Sequence, residues 1–192
     1  MKLSLHPFFC FKPLPFFPFQ LQSRVLPKSD NGSKTVDMGG DLKVKKGQMV
    51  KITVRFKSPQ KNNNGDPVKV DQVELISSEV TGKAEPGTPA YNKATNDTTK
   101  VVKRFTSKDW KTDRDGFHAI TYKVKANKDQ YFRLRGTNLG ENVSGETMDG
   151  EPLIDKKTEI EDNETRFSEI NKRNYKDLWF YSNPIFVSVE DK

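Results

Sequence analysis

The chain has 192 residues, of which 33% are hydrophobic, and its 33 Lys and Arg exceed its 26 Asp and Glu to give a formal net charge of +7. This length suits one domain, or one domain and a tail, and excludes a two-domain enzyme of ordinary size. The sequence has no apolar run long enough to predict a transmembrane helix. Its single cysteine, Cys10, excludes an intrachain disulfide and a thiolate metal cluster.

The first 34 residues differ in composition from the rest of the chain. They contain six of the 13 Phe and five of the 11 Pro, and five basic residues against one acid. The prolines interrupt any helix or strand. A signal peptide is an alternative, but Lys12 and the prolines break its apolar region and no small-residue cleavage site follows. We predict a Pro/Phe-rich tail over residues 1–34, either disordered or artefactual, and a β-domain over residues 35–192.

The remaining 158 residues are nearly balanced in charge, with 28 basic and 25 acidic side chains. Because these bases alternate with acids, nucleic acid is disfavoured as a partner. The domain contains one histidine, His118, whereas zinc and two-metal hydrolase sites usually need several. The sequence therefore predicts neither a metal site nor a cofactor.

Strand patterns follow one another along the domain. Residues 41–46 end at the turn residue Gly47, after which Val50, Ile52, Val54 and Phe56 alternate with polar residues. This alternation is the strongest strand signal in the chain. Further strands are predicted over residues 68–80, 99–106, 117–126, 130–136 and 179–189, with polar connections between them.

A helix is predicted over residues 158–173, before the last strand. Thr158-Glu159-Ile160-Glu161 has the form of a capping box, and acidic residues precede basic ones along the segment, as the helix dipole favours. The predicted fold class is therefore mainly β: an antiparallel Ig-like β-sandwich with one helical or loop excursion before the last strand.

Five residues are candidate ligand-binding or interdomain residues. Tyr131, Arg133 and Arg135 alternate along one predicted strand, so they share a face, and paired guanidinium groups can bind phosphate or carboxylate. The alternative is an ordinary polar face whose arginines pair with acids. Asn183, which precedes Pro184, either clamps a neighbouring loop or is architectural. Trp179 either stacks on a sugar or base or packs in the core or an interdomain contact.

Three stretches carry a family resemblance. They are residues 66–76 (DPVKVDQVELI, followed by Val80-Thr81-Gly82), residues 131–138 (YFRLRGTN) and residues 177–187 (DLWFYSNPIFV). Together they resemble the C-terminal β-domain that follows the catalytic barrel in predicted metal-dependent phosphoesterases of the PHP superfamily. The resemblance covers about residues 41–192, in chain order, and the ending is its most specific part.

The resemblance implies a parent enzyme that hydrolyses phosphoesters with metal-activated water, using His and Asp or Glu ligands from the barrel. No position of this sequence matches those ligands, so no catalytic residue is carried over. We predict a non-catalytic accessory domain, an orphaned or truncated fragment, whose partner is a catalytic barrel domain or subunit. The parent family is compatible with an extracytoplasmic location, although the sequence has no clear signal peptide. The alternative is a free-standing Ig-like module that recognises carbohydrate or protein at the cell surface.

Overall fold

The structure, a computed structural model, describes residues 35–154 and 157–190, and the backbone of residues 20–27. Within these residues the chain forms thirteen strands and one helix. The strands are β1 (Gln20–Pro27), β2 (Val36–Asp37), β3 (Asp41–Lys45), β4 (Met49–Lys57), β5 (Gln72–Glu79), β6 (Lys100–Thr106), β7 (Lys111–Thr112), β8 (His118–Lys125), β9 (Gln130–Thr137), β10 (Thr147–Met148), β11 (Glu151–Pro152), β12 (Trp179–Tyr181) and β13 (Ile185–Glu190). The helix, α1, spans Asn163–Lys176 and precedes the last two strands. The prediction of a mainly β chain with one helical excursion is therefore confirmed.

The strands form two large sheets and one small hairpin. The first sheet has the order β2-β1-β4-β8-β7, and the second has the order β3-β13-β9-β5-β6, with β12 also paired to β9. Strands β10 and β11 pair with each other. One pair departs from the predicted antiparallel arrangement, because β3 and β13 run parallel. Parallel neighbours need a long connection, and nearly the whole domain separates these two strands.

One hydrophobic core draws side chains from both large sheets. Strand β4 contributes Val50, Ile52, Val54 and Phe56, each at most 2% exposed, as its alternation predicts. The buried cluster also includes the inward residues of the second sheet: Leu42, Val44, Val73, Leu75, Phe105, Phe132, Leu134, Ile185 and Val187. Each sheet therefore has an inner face, which is apolar, and an outer face.

The predicted last strand, residues 179–189, is divided in two. Ser182-Asn183-Pro184 separates β12 from β13, since proline has no N–H to donate to a neighbouring strand. The break is nevertheless well bonded: the Ser182 N–H donates to the Leu134 carbonyl at 3.0 Å and the Gly39 N–H donates to the Pro184 carbonyl at 2.8 Å. The division leaves both short strands beside β9.

The helix begins later than its predicted capping box. Its N-cap is Asp162, whose carboxylate accepts a hydrogen bond from the Thr165 N–H at 2.7 Å. Aspartate is among the best N-cap residues, so Thr158 is not needed for this role. None of the residues of α1 is buried, and Phe167 is 60% exposed. In the described part of the chain, no helix is long and apolar enough to cross a membrane.

Strand β1 lies inside the segment that the sequence predicts to be a tail. Its backbone pairs with residues 50–57 of β4, with Leu21 opposite Phe56 and Val25 opposite Ile52, and β2 pairs on its other side. Residues 20–27 are therefore part of the first sheet. Pro27 lies beyond Arg24 and Val25, the residues of β1 that pair with β2, so β1 is an edge strand at that position, where proline is tolerated. The rest of the predicted tail, residues 1–19 and 28–34, lies outside the described residues.

Candidate functional site

The outer face of the second sheet carries four of the five predicted site residues. Tyr131, Arg133 and Arg135 alternate along β9 with Phe132 and Leu134, which are buried in the core. The three polar residues therefore lie on the outer face. Trp179 on β12 joins them there, because its register partner is Thr137 of the same alternating set.

Arg135 is engaged by two carboxylates of the protein itself. Its Nε donates to Glu74 Oε2 at 2.6 Å, and its Nη2 forms ion pairs with Glu74 and, at 2.8 Å, with Glu151. Burial acts to lower the pKa of Arg135, but hydrogen bonds to Glu151 and Glu74 outweigh it and raise that pKa. For Arg135, the contacts are those of the second interpretation of the sequence, in which the arginines of this face pair with acidic side chains of the protein.

Glu74 is the centre of this network. It is 1% exposed and lies in register between Arg135 on β9 and Arg104 on β6. Arg104 binds the second oxygen of Glu74, with its Nε at 2.9 Å and its Nη2 at 2.7 Å. The carboxylate thus bridges two guanidinium groups, which explains how a charged residue can be buried in the middle of a strand.

Arg104 also fastens the loop between β9 and β11 onto the sheet. Its Nη1 donates to Glu141 at 2.7 Å and its Nη2 donates to the Asp149 carbonyl. Gly150 packs directly on the guanidinium: a Cβ there would lie 2.3 Å from the Arg104 Cζ, and its φ of +76° favours glycine. The network therefore holds β5, β6, β9 and this loop together. Its charged groups form ion pairs and hydrogen bonds with one another, within the molecule.

A second group on the outer face remains accessible. We call Tyr131, Arg133, Tyr181 and Phe186 the aromatic strip. Phe186 stands opposite Tyr131 in register, with ring centroids 6.3 Å apart, and the Arg133 Cζ lies 5.8 Å from the centre of the Tyr181 ring. Tyr181 is 54% exposed and Phe186 is 36% exposed. The Nε of Arg133 is buried without a hydrogen-bond partner among the described residues.

The remaining candidates have structural contacts. The Arg135 Cζ lies 5.6 Å from the centre of the Trp179 ring, so this half-buried indole covers the Glu74 network. Asn183 is exposed in the break between β12 and β13, and its carbonyl accepts from the Ser182 Oγ at 2.9 Å. Within residues 35–154 and 157–190, no hydrogen bond joins the Asn183 side chain to a neighbouring loop.

His118 packs among aromatic rings. Its ring centroid lies 5.0 Å from that of Phe56 and 5.6 Å from that of Trp110, and its Nδ1 is 2.8 Å from the Thr112 Oγ1. Burial, followed by the charge of Lys69, lowers the pKa of His118 against the opposing effect of Asp113. The described residues contain no group of three or more His, Cys, Asp or Glu side chains arranged to hold a metal ion.

Sequence patterns missed Glu74, Arg104 and Phe186. Glu74 carries a usable signal, because one charge inside the apolar run Val73–Ile76 demands a buried partner. Arg104 and Phe186 carry no such signal: only strand register brings Arg104 to Glu74 and Phe186 to Tyr131.

The chain was compared with protein-family models, curated proteins and solved structures, and none of them matches. The resemblance to the PHP superfamily therefore stays a prediction, as does the Ig-like class of the fold.

Proposed function

We propose that the chain is a non-catalytic accessory domain of the Ig-like β-sandwich type. It packs through the aromatic strip on a catalytic barrel domain or subunit of the phosphoesterase class that the sequence resembles. The Ig-like assignment is supported by two sheets that share one core and by short strands joined by turns.

The exposed aromatic strip carries the proposal. Tyr, Phe and Arg are enriched in the buried centres of protein interfaces, where a ring supplies a large apolar area and a guanidinium supplies directed hydrogen bonds. Here they lie side by side on the outer face of a sheet, with more than half of Tyr181 and about a third of Phe186 exposed. The unpartnered Nε of Arg133 adds a donor that a partner can satisfy.

A phosphate-binding role is less well supported than packing. Arg135, one half of the predicted guanidinium pair, is 10% exposed and is neutralised by Glu74 and Glu151. A substrate anion would have to compete with both carboxylates for it. The aromatic strip therefore provides apolar contact area and one guanidinium group, that of Arg133, but no free pair of arginines that could bind an anion.

The proposal is tested by measuring association with a PHP-type barrel that lacks its own C-terminal domain. We expect the full chain to bind it, and Tyr181→Ser combined with Phe186→Ser to weaken binding by about a hundredfold, since each central aromatic side chain contributes about 1–2 kcal/mol. Tyr91→Ser is the matched control, because Tyr91 is 57% exposed but lies outside the strip. Binding that survives the double substitution would contradict the proposal.

The chain alone should not hydrolyse an aryl phosphate in the presence of Mn²⁺ or Zn²⁺. Turnover that persists through purification and disappears with a chelator would show that the chain is itself an enzyme.

The second candidate function is a free-standing module that recognises carbohydrate or protein at the cell surface. It is favoured by the same exposed rings, which can stack on sugars. Glycan binding that requires Tyr181 and no barrel would support that alternative.

A further inference from the structure

A cavity of about 340 Å³ lies between the two sheets. It is bounded by β5, β6 and β9 on one side and by β8 on the other. Strand β6 is the outermost strand of the second sheet, and β7 pairs only with the first two residues of β8. The cavity therefore lies where both sheets end, and a ligand can enter between the two edges. Its volume lies in the usual range for small-molecule sites.

A buried hydroxyl group lines this cavity. Ser77 is 3% exposed and lies on the inner face of β5, opposite the core residue Phe132 in register. Its Oγ has no hydrogen-bond partner among the residues that the structure describes. A buried polar atom without a partner is unfavourable and uncommon in native proteins. A ligand that hydrogen-bonds to Ser77 would remove this cost.

The mouth of the cavity carries charges of both signs. Lys100 stands opposite Ser77 across β5 and β6, and no carboxylate in the described ranges lies within ion-pair distance of its ammonium group. Glu79 and Asp97 are the acids of the lining. Each is ion-paired through one oxygen to an exposed lysine, Glu79 to Lys128 at 2.8 Å and Asp97 to Lys93 at 2.5 Å. Their second oxygens can accept from a ligand.

The mouth is held in position by Thr98. The Thr98 Oγ1 lies 2.9 Å from the Ser78 Oγ and accepts a hydrogen bond from the Glu79 N–H at 3.1 Å. These contacts fix the end of the long loop that precedes β6 against β5. The acids and Lys100 are therefore presented from a fixed backbone, which lowers the entropy cost of binding.

Four of the residues that line the cavity are apolar or aromatic. Val102 on β6 and Val124 and Tyr122 on β8 line it from opposite sheets, together with Phe132 on β9, which stands opposite Ser77 in register. The cavity therefore combines an apolar interior with a rim that holds one cation and two acids. A molecule that fits it needs an apolar body and a head group that carries both charges.

We propose that this cavity binds a free amino acid with an apolar side chain in its zwitterionic form. The side chain lies against Val102, Val124 and Phe132, the carboxylate binds Lys100 and the Ser77 hydroxyl, and the ammonium group binds Glu79 and Asp97. A simple anion would leave the second oxygens of Glu79 and Asp97 without a donor, and a simple amine would leave Lys100 without a carboxylate. A neutral sugar would leave the apolar walls without contacts. The site is separate from the aromatic strip, so it goes beyond the accessory role and does not depend on it.

The test is a titration of the full ¹⁵N-labelled chain with L-leucine, followed by NMR and calorimetry. We expect saturable shifts at the amides of Ser77, Tyr122 and Val124. Two analogues each lack one charge: 3-methylbutylamine has no carboxylate and 4-methylpentanoate has no ammonium group. Each should bind about tenfold more weakly than leucine or worse, because one charged hydrogen bond is lost. Glucose should produce no saturable shift.

Variants then locate the site. Lys100→Met keeps the aliphatic stem and should weaken leucine and 4-methylpentanoate by about tenfold while leaving 3-methylbutylamine unaffected. Lys103→Met, an exposed change on the same strand outside the lining, is the matched control. Absence of saturable binding at millimolar leucine, equal binding of either analogue, saturable binding of glucose instead, or equal effects of the two variants would each overturn the proposal. Association with a barrel is measured separately, so the two proposals fail independently.

Discussion

Glu74 shows how a single residue can organise the outer face of a sheet. It lies on β5, which is buried on both faces, and it is bound from opposite sides by Arg104 and Arg135. The attraction between these charges offsets the cost of removing them from water only while all three are present. The network therefore depends on Glu74 more than on any exposed carboxylate that touches the same arginines.

We predict that Glu74→Gln lowers the free energy of unfolding by about 3–5 kcal/mol, because it removes the buried counter-charge that Arg135 and Arg104 share and leaves each of them only a partly exposed carboxylate. Urea unfolding of the full chain measures the change. The matched control is Glu151→Gln, which also removes a partner of Arg135 but lies at a side chain that is 53% exposed. This control should cost about 0–1 kcal/mol. Equal losses in the two variants would contradict a buried network centred on Glu74.

At the scale of elements, β12 can join the second sheet because of one glycine. Gly136 of β9 pairs with Phe180 in register, and a Cβ at Gly136 would lie 2.1 Å from the Phe180 Cζ. The ring thus occupies the place of a side chain on β9 and packs against the hydrophobic core. An aromatic residue that covers a glycine in this way compensates for the missing side chain.

We predict that Gly136→Ala destabilises the chain by about 1–3 kcal/mol, because the added methyl group forces Phe180 out of its place. Gly140→Ala should change stability by less than about 0.5 kcal/mol, since a Cβ there meets only ordinary contacts at 3.7 and 3.9 Å. Chemical denaturation measures both. Adding Phe180→Leu to Gly136→Ala should cost less than the two single changes combined. If the losses in unfolding free energy were strictly additive, Phe180 would not be the reason that alanine is unfavourable at position 136.

Some of these elements can be predicted from the sequence and others cannot. The alternation of Val50 to Phe56 predicts β4 and its inner face, because side chains of a strand alternate between faces wherever the strand is placed. The predicted start of α1 at residue 158 is wrong, since Thr158 and Asp162 both have the chemistry of an N-cap and the helix begins after Asp162. The sequence does not predict the break at Ser182-Asn183-Pro184, because proline allows a strand to end without requiring it.

At the scale of the whole molecule, β1 is an interior strand of the first sheet. It lies between β2 and β4 and pairs with every residue of β4 except Met49. Removing it would expose the backbone donors and acceptors along one side of β4, and an unprotected strand edge promotes association with other chains. The domain boundary therefore affects solubility as well as stability.

We predict that a chain starting at Thr35 unfolds at a temperature at least about 4 °C lower than the full chain, equivalent to a loss of 1 kcal/mol or more, and self-associates. A chain starting at Gln20, which keeps β1, is the control and should resemble the full chain in thermal unfolding and size-exclusion chromatography. If the chain from Thr35 is as stable and monomeric as the control, the boundary that the sequence predicts, with the tail ending at residue 34, would be supported instead.

The sequence by itself determined the local features of this protein: a mainly β chain, the inner face of β4, one helix before the last strands, and three site residues, Tyr131, Arg133 and Arg135, with the right alternation to share a face. These follow from side-chain periodicity and from capping and turn chemistry, which act over a few residues. Only the tertiary structure decided that Arg135 is neutralised by Glu74, that Arg133 joins Tyr181 and Phe186 in an exposed strip, and that Ser77 and Lys100 meet at a cavity. Each of these depends on strand register and sheet packing, which join residues far apart in the chain.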